Sequence, residues 1–156
     1  DSNMKYEIVE IPTKTMAGIS IRTTNENMQA VNDIGKLWEE FWNKNIFSFT
    51  ENKKNNKMYG VYTNYEGDFT KPYDFYACCE VSSEGNNNDE FSVISVPESK
   101  YAKFSLRGNY DEAAEKLWNA IWETKLDRKY TYDFEVYHND GNDPENLLLE
   151  IYVAVN

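Results

Sequence analysis

A pattern that runs through the first half of this chain starts again in the second. Ile11-Pro12 recurs as Val96-Pro97, and an arginine follows each proline ten residues on, Arg22 and Arg107. Ala17, Ile19, Ser20 and Ile21 fall without gaps on Ala102, Phe104, Ser105 and Leu106. Leu37-Trp38 and Trp42 recur as Leu117-Trp118 and Trp122, and Val61-Tyr62 recurs as Val136-Tyr137. Phe75 to Val81 lies over Leu149 to Val155, with Tyr76 in the place of Glu150. A period of roughly 80 residues is longer than a solenoid repeat and reads as a duplicated half-domain.

Local patterns give each half the same content: strand, helix, strand, strand, after a short leading strand. The first helix carries Val31, Ile34, Leu37, Trp38 and Phe41 at three-and-four spacing. Thr23 and Glu26 ahead of it have the spacing of a capping box. Asn109 caps the second helix, Asp111 and Glu112 favour its positive end, and Ala114, Leu117, Trp118 and Ile121 form its apolar stripe. The helix pattern of the first half fades in the polar run 43–57. The Gly- and Asn-rich run 83–90 reads as a linker between half 4–82 and half 91–156. The expected architecture is α+β: duplicated β-α-β-β half-domains in one domain, 1–156, forming an antiparallel sheet with two helices and a groove at the pseudo-two-fold seam.

The final strand, Leu147 to Val155, is apolar on both faces apart from Glu150. Strand alternation sends Leu147, Leu149, Ile151, Val153 and Val155 one way and Leu148, Glu150, Tyr152 and Ala154 the other. A strand of this kind is expected to be covered on both sides. A carboxylate there is costly unless something positive or hydrogen-bonding meets it. The expectation is that this partner is a ligand, and that burial raises the pKa of Glu150 while the partner is absent.

Composition narrows the function. The net charge of −11, with no basic stripe, disfavours direct binding to nucleic acid. No apolar run approaches the ~20 residues that span a bilayer, and no signal peptide is visible. Cys78 and Cys79 are adjacent, so they cannot staple distant elements; a reducing, cytoplasmic address follows as the expectation. They also lack metal-ligand spacing and read as buried thiols, and 140–143 lacks the spacing and distal Glu of a calcium loop. No metal and no cofactor is expected. The abundance of rings, with 12 Tyr, 8 Phe and 4 Trp, suits a ligand pocket and equally an ordinary core.

Four segments together resemble the gyrase-inhibitor-like (GyrI-like) effector-binding family: Tyr59 to Asp74, Phe104 to Glu112, Tyr132 to Tyr137, and the final Glu150 to Val153. The resemblance runs from about Met4 to the end of the chain. It implies the duplicated strand-helix-strand-strand fold. It also implies a domain that stands alone or is attached to DNA-binding regions. Drug-sensing members of the family bind bulky aromatic cations in an aromatic groove with a buried glutamate. The resemblance places that glutamate at Glu150. Ala154 stands where the family often has Pro, and no helix-turn-helix segment is apparent, so a stand-alone member is expected.

The expected ligand set is Glu150, Tyr152, Tyr137, Tyr62, Trp38 and Trp118, around a lipophilic aromatic cation. Each ring also has a plain packing role open to it. Glu135 shares a strand face with Tyr137 and reads as a second acid near the groove or as a surface residue. His138 precedes the turn signal Asn139-Asp140-Gly141 and reads as exposed. The alternative implied by the resemblance is a hydrolase of strained, cyclopropanoid toxins, with Glu150 as acid or base and Tyr137 or Tyr152 assisting. A further possibility is a protein partner, including a separate regulator protein to which ligand binding is reported.

Overall fold

The computed structural model describes residues 4–82 and 91–156; the linker expected at 83–90 lies outside the described residues. The chain forms β1 (Glu7–Ile11), β2 (Lys14–Thr23), α1 (Gln29–Asn43), α2 (Ile46–Phe49), β3 (Met58–Thr63) and β4 (Tyr73–Val81). It continues with β5 (Ser92–Val96), β6 (Ser99–Gly108), α3 (Tyr110–Glu123), β7 (Tyr132–Tyr137) and β8 (Leu147–Ala154). The strands form one 8-stranded sheet in the order β1-β6-β8-β7-β3-β4-β2-β5. All seven pairings are antiparallel. The α+β expectation therefore holds.

The leading strands are exchanged. β1 pairs with β6 of the second half, and β5 pairs with β2 of the first. Pro12 and Thr13 alone join β1 to β2, although these strands lie near opposite ends of the sheet order. Ile11 and Lys14, three residue steps apart, can lie at most about 11 Å from each other. The sheet must therefore curl until its ends meet. They meet where the Glu98 backbone N–H donates to Thr13 Oγ1 at 3.1 Å. Pro97 and Glu98 make the matching step from β5 to β6.

Curling gives the sheet two different faces. The inner face gathers Met16, Tyr59, Val61, Cys78, Tyr101, Phe134, Val136 and Tyr152 into one cluster. Phe134 and Tyr152 stack there with centroids 4.6 Å apart. The outer face carries the helices. Leu37 and Phe41 of α1 pack on Ile19, Phe75, Ala77 and Cys79, while Leu117 and Ile121 of α3 pack on Ala102, Phe104, Leu149, Ile151 and Val153. Each fully buried side chain of this size contributes roughly 1.5–3 kcal/mol of burial free energy. Cys78 and Cys79, on adjacent positions, point to opposite faces and are both fully buried. No helix among the described residues is long and apolar enough to cross a membrane.

Helix starts follow local chemistry only in part. The Asn109 side chain accepts from the backbone N–H groups of Asp111 and Glu112, as its type and place predict. The capping box expected at Thr23 and Glu26 does not form. A short 3-10 turn, Glu26–Met28, intervenes before α1, and Thr23 Oγ1 instead donates to Asp33 at 2.8 Å. The polar run 43–57 is not structureless, because Ile46 of α2 drops into the core and is 2% exposed. Asn109→Ala is expected to destabilise the fold by about 1 kcal/mol in urea denaturation; an unchanged midpoint would show that the cap contributes nothing.

Candidate functional site

β7 and β3 meet at the centre of the sheet order, and Gly60 pairs with Glu135 across that seam. Strand alternation turns Asp133, Glu135 and Tyr137 toward the helices and Phe134 and Val136 toward the inner face. Glu135 is only 3% exposed. Its carboxylate accepts three hydrogen bonds. Tyr62 Oη and Trp118 Nε1 donate to Oε2 at 2.9 and 2.8 Å, and Tyr137 Oη donates to Oε1 at 2.8 Å. Trp118 packs edge-on against Tyr62 at 5.2 Å, and Trp38 packs edge-on against Tyr137 at 5.5 Å. The two halves thus contribute one Tyr and one Trp each to the walls around a single acid.

Among the described residues, no lysine or arginine pairs with Glu135. Burial pushes its pKa above the ordinary glutamate value; the bonds from Trp118, Tyr137 and Tyr62 offset part of that rise. The same burial, reinforced by the nearby carboxylate, holds the Tyr62 and Tyr137 phenols firmly protonated. They act as donors near neutral pH. Gly60 is what leaves room for this acid. A Cβ there would lie 2.6 Å from Glu135 Oε1 and 2.7 Å from Phe75 Cζ.

Glu150 lies on the other side of the sheet, and its situation corrects the sequence-based expectation. It does not lack a partner in its own chain. His138 Nε2 is 2.7 Å from Oε1, Tyr152 Oη donates to Oε1 at 3.0 Å, and Lys103 Nζ is 3.2 Å from Oε2. Burial alone would raise its pKa, but the His138 hydrogen bond and charge and the Lys103 ammonium together lower it. The expected rise does not occur. Glu150 and Tyr152 line a small cavity of about 90 Å³ with Tyr59, Phe134, Lys14 and Lys57. His138 is not the exposed residue that its turn context suggested; its side chain is 17% exposed and docked on Glu150.

The six expected ligand residues therefore separate. Tyr62, Tyr137, Trp38 and Trp118 gather on the helix face at the seam, and Glu150 and Tyr152 gather on the inner face. The acid that joins the four rings is Glu135. One sequence signal pointed to it. The correspondence of Val61-Tyr62 with Val136-Tyr137 carries Gly60 onto Glu135, and a glycine inside a strand often marks a close approach. Among the described residues no cluster of metal-ligating side chains is present.

An eight-stranded antiparallel sheet carrying helices on one face is the fold of an effector-binding domain. The chain belongs to the Cass2 family of integron-associated effector binding proteins, whose profile matches residues 7–155. This accords with the GyrI-like resemblance. A candidate transcriptional regulator of Bacillus subtilis (strain 168), YobU, is 28% identical over 153 residues, covering 95% of this chain and 96% of its own length. The integron cassette protein VCH_CASS2 of Vibrio cholerae is 32% identical, with a TM-score of 0.78 and 99% of both chains covered. The structure of SAV2435 bound to tetraphenylphosphonium has the same fold, with a TM-score of 0.78 at 18% identity, over 98% of this chain and 94% of that one.

Gly60→Ala is expected to lower stability by about 1–3 kcal/mol, because the new methyl group must displace the Glu135 carboxylate or the Phe75 ring. Urea denaturation measures this. A variant as stable as the parent would show that the seam is looser than the contacts around Gly60 imply.

Proposed function

We propose that this chain is one effector-binding domain of the multidrug type, which takes lipophilic aromatic cations at Glu135 between the rings of Tyr62, Tyr137, Trp38 and Trp118. The observation that carries this reading is the uncompensated carboxylate. Three neutral donors hold it in place, and no cation of the chain, among the described residues, neutralises it. A bound cation would supply that charge. Aromatic faces would add roughly 0.5–2 kcal/mol each without demanding one ligand shape, which suits broad specificity. The ligand in the SAV2435 structure, a lipophilic phosphonium cation, supports the same chemistry for the fold. With a net charge of −11 repelling phosphate backbones, this domain is not suited to bind DNA itself, and a message to DNA would need a further element, such as a separate regulator protein.

The hydrolytic alternative finds less support. Glu135 already accepts three bonds, which leaves it poorly placed to activate water. Glu150 is held ionised by His138 and Lys103, so it carries no proton to donate near neutral pH.

Tryptophan quenching by tetraphenylphosphonium tests the proposal. Glu135→Gln is expected to weaken binding by about tenfold or more, the effect of removing at least ~1.4 kcal/mol of charge interaction. Glu150→Gln should change affinity by less than about twofold, while lowering stability by about 1–3 kcal/mol through its lost charged bonds. Equal losses in the two variants would remove the distinction between the acids. The pH dependence has a fixed sign. Only ionised Glu135 attracts the cation, so affinity is full above its pKa and falls as the pH drops through it. The midpoint should lie above the ordinary glutamate value, and Glu135→Gln should abolish the dependence.

A further inference from the structure

We infer that the three donors around Glu135 act as a filter, selecting cations without N–H groups over ammonium and guanidinium ions of the same size. The inference rests on the cation-binding reading above and specifies its ligand class.

A carboxylate has two oxygens and about four acceptor sites. On Glu135, Oε2 already takes both Tyr62 Oη and Trp118 Nε1, and Oε1 takes Tyr137 Oη. The Gly60 backbone closes in on Oε1, where a single added carbon would come within 2.6 Å. The acid therefore offers a ligand its charge but little capacity to accept a hydrogen bond.

The consequences differ by cation type. A phosphonium or quaternary ammonium loses no hydrogen bond on leaving water and still gains the field of the carboxylate. A primary ammonium carries three N–H donors and a guanidinium five. The Tyr62 and Tyr137 phenol oxygens beside the acid are each already oriented by their own bond to Glu135. At most one of the ligand's donors can then reach the acid, and the others depend on acceptors off the carboxylate in a buried place. Displacing a phenol from the carboxylate does not help, because it strands the phenol hydrogen instead. Burial keeps both phenols protonated, so neither can turn from donor into anionic acceptor.

A matched pair of ligands tests this: methyltriphenylphosphonium and triphenylmethylammonium, which share three phenyl rings and a single charge. Titrations by tryptophan fluorescence or calorimetry, with both fully charged, should give about tenfold tighter binding of the phosphonium, the cost of one unmet buried donor. Tyr137→Phe frees an acceptor site on Oε1. It should shrink that ratio at least threefold by improving ammonium binding, and Tyr62→Phe should do the same through Oε2, should the first variant fail to fold. A parent protein that binds the two ligands equally, or prefers the ammonium, overturns the filter. So does a ratio unchanged in a folded Tyr→Phe variant. Phosphonium binding undiminished in Glu135→Gln would instead sink the reading beneath it. Ammonium binding that is weaker yet lost with Glu135→Gln supports both.

Discussion

A single buried carboxylate where β3 meets β7 sets the terms for the rest of this molecule. Burying Glu135 without a counter-ion costs free energy that three neutral hydrogen bonds repay only in part. Its pKa rises for that reason. The surrounding structure is arranged to tolerate this cost. Tyr62 and Tyr137, at corresponding places in the two halves, supply one donor each; Trp118 supplies the third, and Gly60 yields the space. In the proposed function, a positive guest would remove this deficit.

The inner face shows the contrasting solution. Glu150 has the burial of a functional acid but is met by Lys103 and His138. Glu80, on the same face, is likewise countered: Lys14 and Lys54 stand 3.3 and 3.7 Å from its carboxylate, and Tyr59 Oη donates to it at 3.0 Å. Those charges are balanced within the fold and are expected to hold the curled sheet together. Among the described residues, the uncompensated Glu135 lies on the helix face, beside the partly buried rings of Tyr62, Tyr137, Trp38 and Trp118. Buried acids of one sheet are thus left balanced or unbalanced by their neighbours.

Much of this was legible in the sequence, and the failures are instructive. Local patterns gave most of the strands and the two long helices, and three-and-four spacing gave Leu37, Phe41, Leu117 and Ile121 as packing positions. The four seam rings were identified because they recur in pairs. Glu150 was expected without a partner because β8 is apolar on both faces, so alternation could not say which face meets the helices. That depends on the curl, and the curl depends on the exchange of β1 and β5, a long-range pairing that no local pattern records. His138 was misread because a turn signal implies exposure, whereas its backbone N–H continues the ladder to Leu148 O at 3.1 Å and brings the ring to Glu150. Thr23 failed as a cap because Asp33 captured its hydroxyl.

The ionisation of Glu135 itself is the quantity on which the account turns. A titration of its side-chain carboxyl carbon by NMR, with and without tetraphenylphosphonium, measures it directly. The account predicts a midpoint above the ordinary glutamate value in the free protein and a clear fall when the cation is bound. A free-protein midpoint at or below the ordinary value, or one that the cation leaves unmoved, would contradict it.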